Sequence, residues 1–232
     1  MCWILNTKRK MGFVVAVDGP AGSGKGTITK RIAKDMKLTS IDTGAMYRCV
    51  TLAMLNENIE LDDFEKISKL LDEIKIEFKK VNGEKKVYLN GNDVSLEIRT
   101  KPVNENVSPV STIKIVRERL ANLQREMAET IDVIMEGRDI GTNVFPNANV
   151  KIYLDATPEE RAKRRYLQNK ENGIEMPYEE ILESVKNRDF IDSTREIAPL
   201  KKADDAIYVD SSNMTIDEVV ANIEKIINEK RN

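Results

Sequence analysis

The sequence predicts an α/β chain: a five-stranded parallel sheet flanked by helices, interrupted by an inserted small antiparallel β subdomain and by a helical lid. Three observations carry that reading. Five short apolar runs alternate with segments of helical spacing, the pattern of a parallel sheet with crossover helices. Between the second and third of these runs, Ile74, Ile76 and Phe78 alternate with polar residues, Asn82-Gly83 gives a type I′ turn signal, and Val87 and Leu89 alternate on the way back. Between the last two runs, a pair of helical segments gathers Arg161, Lys163, Arg164, Arg165, Arg188 and Arg195. That is a local positive field in a chain whose 37 basic and 39 acidic residues otherwise nearly cancel.

The first run, Phe13 to Asp18, leads into Gly19-Pro20-Ala21-Gly22-Ser23-Gly24-Lys25-Gly26-Thr27 and then a helix with Ile28, Ile32, Ala33 and Met36 on one face. Strand, glycine-rich turn and helix in this order form a phosphate-binding loop of the P-loop NTPase type. The glycines let successive backbone N–H groups converge on an anion at a helix N-terminus, and Lys25 adds a mobile charge for the outer phosphates. Gly26 stands where Ser or Thr usually follows the lysine, and the hydroxyl comes one place later at Thr27.

A second short strand, Leu38 to Asp42, gives way at Thr43-Gly44 to a helix through about Asn56, with Met46, Val50, Ala53 and Met54 as its stripe. Arg48 falls in its first turns, where the helix dipole disfavours a cation, and that mismatch marks it as functional. Leu61 to Leu71 reads as a helix capped by Asp62 or Asp63. The hairpin follows, with a second turn at Asn90-Gly91, and Lys79, Lys80, Lys85 and Lys86 near its tip read as a solvated edge. Thr112 to Ala128 is amphipathic, and a buried strand from Ile131 to Glu136 ends in Gly137-Arg138-Asp139-Ile140-Gly141-Thr142. Charges of both signs at the carboxyl end of a core strand lie where open α/β sheets bind ligands. After Val150 to Leu154, Thr157 and Glu160 make a capping box with Pro158 at the first helical position. A loop at Asn172-Gly173 and a helix from Tyr178 complete the arginine-rich pair, which reads as a lid over phosphates. Ala206 to Asp210 is the fifth strand, and Thr215 and Glu218 cap the terminal helix, with Val219, Ile223 and Ile226 inward.

Composition narrows the function. At 232 residues the chain suits one α/β domain with insertions. Residues 1–10 are expected to be a disordered extension, with Met11 a candidate start. Balanced charge argues against nucleic acid, and no segment suggests a membrane. Two cysteines, Cys2 and Cys49, give no disulfide or metal spacing, which points to the cytoplasm. With no histidine there is no His-based triad or zinc site. A donor site, an acceptor insertion and a cationic lid describe a small-molecule phosphotransferase working by position and charge neutralisation with Mg²⁺.

The phosphate loop, Asp42-Thr43-Gly44-Ala45-Met46-Tyr47-Arg48, Glu97-Ile98-Arg99-Thr100, Gly137 to Thr142 and Glu160 to Arg165 together resemble bacterial cytidylate kinase, in order from Phe13 almost to the C-terminus. The resemblance implies transfer of the γ-phosphate of ATP to CMP or dCMP with Mg²⁺, by a cytoplasmic, monomeric enzyme acting on small-molecule nucleotides. It implies that Gly19, Pro20, Ala21, Gly22, Ser23, Gly24, Lys25, Gly26 and Thr27 bind ATP phosphates, joined by Arg164. Arg48 and Arg138 would hold the acceptor phosphate. Ser108, Arg117 and Asp139 would read cytosine, with Thr43 nearby, while Arg188 and Asp192 would contact the ribose and Arg195 would reach towards the phosphates. Lys25, Arg138, Arg188 and Arg195 form the expected catalytic set. Thr27 is the metal candidate, through water, with Glu136 or Asp42 further out. The implied division is a core of 11–71, 109–155 and 197–232, an acceptor-binding insertion at about 72–108 and a lid at about 158–196. The rival readings are a kinase for another nucleoside monophosphate or small metabolite, and a nucleotide switch; for the switch, Asn169-Lys170-Glu171-Asn172 lacks the aspartate of a guanine-binding motif.

Overall fold

The computed structural model describes residues 12–171 and 173–231, so the expectations for residues 1–10, Cys2, Met11 and Asn172 lie outside the described residues. The chain begins with β1 (Val14–Asp18), α1 (Lys25–Asp35), β2 (Thr39–Asp42), α2 (Thr43–Asn56) and α3 (Phe64–Glu73). Next come β3 (Ile76–Val81), β4 (Glu84–Leu89), β5 (Asn92–Asp93), α4 (Lys101–Val110) and α5 (Lys114–Met127). It closes with β6 (Val133–Gly137), β7 (Val150–Asp155), α6 (Pro158–Glu171), α7 (Tyr178–Thr194), β8 (Ile207–Asp210) and α8 (Ile216–Arg231).

The predicted five-stranded sheet has the order β2-β6-β1-β7-β8 and is parallel throughout. β1 lies at its centre, and its side chains alternate between two apolar layers as the period of a strand requires. Val15 and Val17 pack with Ile28, Ile32, Ile223 and Ile227 of α1 and α8. Val14 and Ala16 face the other layer, with Met46, Cys49, Val50 and Leu120 of α2 and α5. Cys49 is fully buried, the small core residue its apolar surroundings call for.

The second sheet is antiparallel, β3-β4-β5, and its two connections are the expected Asn-Gly turns. Asn82 and Gly83 have φ of 52° and 86°, and Asn90 and Gly91 51° and 84°, the two left-handed residues of a type I′ turn. Its inner residues Ile76, Val87 and Leu89 belong to the same apolar cluster as α2 and α5, so the insertion shares the main core.

Four local expectations need correction. The segment after the insertion contains a helix, α4, that composition concealed: Asn, Ser and two prolines are poor helix formers. Val103, Val107 and Val110 sit at helical spacing and are buried, Pro102 occupies the first turn where its missing N–H costs nothing, and packing decides. The amphipathic helix starts at Lys114 rather than Thr112. The Thr157 capping box is half formed, since Glu160 N donates to Thr157 Oγ1 at 3.2 Å while the Glu160 carboxylate turns to Arg164. The Thr215–Glu218 box closes in both directions. Lys85 is no solvated edge residue: its ammonium donates to the Ser40 carbonyl on β2 and sits 4.4 Å from the Phe78 ring centre. Burial pushes it down to about 8. The small sheet is thus tied to the edge of the large one.

Candidate active site

The loop after β1 is shaped by what its backbone must avoid. A Cβ on Gly19 would lie 2.0 Å from the Leu154 carbonyl oxygen, and Gly24, the N-cap of α1, is left-handed at φ 95°. The carbonyls are held from outside the loop's hollow. The Lys25 ammonium donates to the Gly19 and Pro20 carbonyls at 2.8 and 2.6 Å and to Ser23 Oγ at 3.2 Å. Arg161 takes the Ala21 carbonyl at 3.1 Å, and Arg164 and Ser211 Oγ take that of Ser23 at 3.5 and 3.2 Å. The Thr27 and Ile28 amides already donate to the Gly24 carbonyl at 3.1 Å, so the Lys25 and Gly26 amides that open α1 are the first-turn donors left to the loop.

Beside the loop, β6 ends in the buried carboxylate of Glu136. A Cβ on Gly26 would lie 3.2 Å from Glu136 Oε1. The carboxylate therefore occupies the place towards which a residue-26 hydroxyl would project, which accounts for glycine there. Burial, then the neighbouring Asp42, pushes the Glu136 carboxyl well above its ordinary value, while burial and Arg138 push Lys25 well below its own. Thr27, the expected metal contact, is exposed on α1. Among the described residues no group of three or more His, Cys, Asp or Glu side chains could hold a metal ion. A carboxylate beside the phosphate loop does fit a Mg²⁺ ion carried in by nucleotide phosphates, since that ion characteristically takes one or two protein carboxylates and keeps its waters.

Further along the strand ends lies a second pocket, drawn from five separate elements. Asp18 at the tip of β1 accepts from the Ile140 and Gly141 amides at 2.8 and 2.7 Å, and burial raises its carboxyl to about 6. This fixes the turn that presents Arg138 and Asp139. Asp139, 5 % exposed, takes Arg117 from α5 at 2.5 Å and Asn143 at 3.0 Å on Oδ2, and Arg195 at 3.4 Å on Oδ1. Arg117 also donates to the Ser111 carbonyl at 3.0 Å and lies over the Tyr47 ring. Arg138 pairs with Asp192 of α7 at 2.9 Å. Burial would raise the Asp192 carboxyl, but Arg138 and Arg188 outweigh it and hold it low.

The same pocket carries more positive charge than its carboxylates answer. Burial first, and then Arg138, Arg48 and Arg165, press Arg188 down to about 9; burial, Arg99, Arg138 and Arg165 act on Arg48 in the same direction. A guanidinium stays charged in proteins, so these shifts reflect the cost of burying the charge, with repulsion from the neighbouring arginines added to it, rather than a lost proton. The Arg188 Nε is buried without a hydrogen-bond partner. Several guanidiniums crowded in this way form a cradle for a multiply charged anion.

The expected residues thus fall into two groups. Gly19 to Lys25 and Arg164 surround the phosphate loop; Arg48, Arg117, Arg138, Asp139, Arg188, Asp192 and Arg195 meet at the second pocket. Thr43 is spent on structure, its hydroxyl donating to the Glu136 carbonyl at 2.7 Å, and Ser108 lies buried near the end of α4. Arg195 lies beside Asp139 and Asp192 rather than at the loop, because its Nε is held by the Ala198 carbonyl at 2.8 Å. Arg161 does not face phosphate: it is buried, with Asp189 taking both its terminal nitrogens. Sequence reading placed Arg165 in the cationic lid without giving it a site role, whereas its charge acts on Arg48 and Arg188, and it missed the placing of Glu136 against Gly26. Each depends on a contact between distant segments, although the unusual Gly26 was a visible clue to the second.

A P-loop on the central strand, beside a cationic pocket at the same sheet edge, defines the class: a phosphate-loop nucleotide phosphotransferase. A sequence model described as cytidylate kinase matches residues 15–229. A cytidylate kinase of Fusobacterium nucleatum is 55% identical over 215 residues, covering 93% of this chain and 97% of its own. One of Lactobacillus johnsonii is 52% identical over 94% of both chains, and one of Caldicellulosiruptor saccharolyticus is 51% identical over 90% of this chain and 92% of its own. The chain belongs to the cytidylate kinase family.

Proposed function

We propose that this chain transfers the γ-phosphate of ATP to CMP or dCMP, with the donor phosphates on Gly19 to Thr27 and the acceptor in the pocket from Arg48 to Arg195. The observation that carries the division of labour is the crowding of Arg48, Arg165 and Arg188, which have no ion pair among the described residues, beside the Arg138–Asp192 pair. A monophosphate dianion supplies the charge the cluster lacks. The reading makes residues at about 72–108 the acceptor side and the α6–α7 hairpin the lid.

Phosphoryl transfer asks the protein for alignment and charge rather than covalent chemistry. Lys25 would follow the transferring phosphoryl group, and its three loop contacts show the reach of its ammonium. Arg48 and Arg138 would hold the acceptor phosphate in line, and Arg188 would neutralise charge spreading onto the equatorial oxygens. Glu136 is the carboxylate suited to the water shell of a Mg²⁺ ion entering with the nucleotide, and that ion would supply positive charge at the donor phosphates.

Base choice would rest on Asp139. Arg117, Asn143 and Arg195 fix its orientation, so its carboxylate can accept from the cytosine amino group while Arg117 donates to the ring carbonyl. Uracil offers an oxygen where cytosine offers N–H, which would leave the buried carboxylate facing an acceptor. An unsatisfied contact of this kind costs about 1–3 kcal/mol or more. The direct test is incubation with ATP, Mg²⁺ and CMP: CDP and ADP should appear in equal amounts. ADP formed without CDP would mean hydrolysis and would reject the reading.

A further inference from the structure

Arg161 and Asp189 lie outside both groups of proposed nucleotide contacts, yet they form a short ion pair with a buried guanidinium. Arg161 is 3 % exposed. Its Nη1 and Nη2 meet the two Asp189 carboxylate oxygens at 2.9 and 2.5 Å, a bidentate pair joining α6 to α7. The remaining donors reach elsewhere: Nε to the Ala156 carbonyl at 2.8 Å, and Nη1 also to the Ala21 carbonyl inside the phosphate loop at 3.1 Å. A Cβ on Gly22 would lie 3.3 Å from Arg161 Cβ, so the stem of this arginine is the floor against which the loop rests. One guanidinium therefore touches the loop, the end of β7 and the arginine-bearing helix α7.

Two consequences follow from donor arithmetic and helix geometry. Lys25 has three N–H donors, and the loop uses all three; engaging a phosphate requires releasing at least one of these contacts, to the Gly19 or Pro20 carbonyl or the Ser23 hydroxyl. Arg161 has no such competing task, so its hold on Ala21 persists while Lys25 moves. On α7, Asp189 lies about 100° around the helix from Arg188, whereas Arg188, Asp192 and Arg195 share one face at spacings of four and three. Anchoring Asp189 against α6 thereby fixes the rotation of the helix that aims Arg188.

We propose that the Arg161–Asp189 pair is a positioning strut for phosphoryl transfer, holding the phosphate loop and the Arg188-bearing face of α7 in one register. The proposal rests on the reading of Gly19 to Thr27 as the donor site. That reading is checked separately: wild-type protein should bind mant-ADP, and Lys25→Ala should weaken that binding. The strut is tested with Asp189→Asn, Arg161→Lys and the double variant, assayed at a temperature where each is fully folded by circular dichroism. A small misalignment of reacting groups is costly to rate, so each single variant should lower kcat roughly 10-fold or more. The KM for CMP should rise by a smaller factor than kcat falls, since Arg48, Arg138 and Asp139 stay in place while only the Arg188-bearing face of α7 is released. Because both changes break one strut, the double variant should be no worse than the poorer single one. Wild-type kcat in the folded variants, or losses that multiply in the double variant, would overturn the proposal. If Arg161→Lys does not fold, the near-isosteric Asp189→Asn decides alone, by its kcat and its CMP KM.

Discussion

The donor loop and the acceptor pocket sit at the same edge of one sheet and are made in opposite ways. The loop is a contiguous nine residues, and its Gly19, Pro20, Ala21 and Ser23 carbonyls are held close at hand by its own lysine, two arginines of α6 and Ser211. The pocket proposed for the acceptor takes Arg48 from α2, Arg117 from α5, Arg138 and Asp139 from the end of β6, Arg188 and Asp192 from α7, and Arg195 just after it. It keeps an excess of repelling cations. A site that binds the triphosphate common to many enzymes can be a compact, self-satisfied unit. A site that must choose one base among several needs groups arriving from different directions, and it holds them with buried ion pairs.

The sharpest way to break this contrast is at Lys25. Lys25→Ala removes charge at the transferring phosphoryl group with every acceptor, and turnover should fall roughly 10³-fold whichever monophosphate is offered. Near-normal turnover in a steady-state assay would remove Lys25 from the mechanism. Asp139→Ala should be selective instead. It leaves Arg117 and Arg195 facing an unfilled position, and kcat/KM for CMP should fall on the order of 10²-fold while mant-ADP affinity changes little. Equal damage to both would make Asp139 structural.

Smaller effects probe the joints between the regions. Lys85→Ala should cut the tie from the small sheet to Ser40 and raise the CMP KM severalfold, with the ATP KM unchanged; a change in the ATP KM alone would place Lys85 with the donor side. Asp18 adds a pH signature. Its folded carboxyl is raised to about 6 against 3.8 for the ordinary group, so the unfolded chain gives up its proton first as pH rises. That contribution falls between about pH 4 and 6, by as much as about 3 kcal/mol. Asp18→Asn does not titrate there, so the stability penalty of the substitution should shrink from pH 4 to pH 7 in denaturant melts. A penalty independent of pH would contradict the raised value.

Legibility in the sequence followed the same division. The five core strands, the phosphate loop, the Asn-Gly hairpin and the terminal capping box are local patterns of period, turn residue and spacing, and they form where expected, with strand ends shifted by one or two residues: the strand expected from Ile131 begins at Val133 and leaves Ile131 exposed. What stayed hidden was set by packing between distant segments. α4 forms against its own composition because three valines bury together. Lys85 finds a carbonyl 45 positions away in sequence. Arg161 looks like any other lid arginine until Asp189 and Ala21 are seen beside it. The pocket arginines were legible as types in odd places, Arg48 above all, but their crowding into one cluster is a property of the fold.

The central claim is that the pocket around Asp139 selects cytosine. It is tested most directly by coupled ADP-release turnover with ATP and Mg²⁺ across CMP, dCMP, UMP and AMP at equal concentration. CMP or dCMP should give the highest kcat/KM by a wide margin, and Asp139→Ala should narrow that margin. Faster phosphorylation of UMP or AMP than of CMP by the wild-type protein would contradict the account.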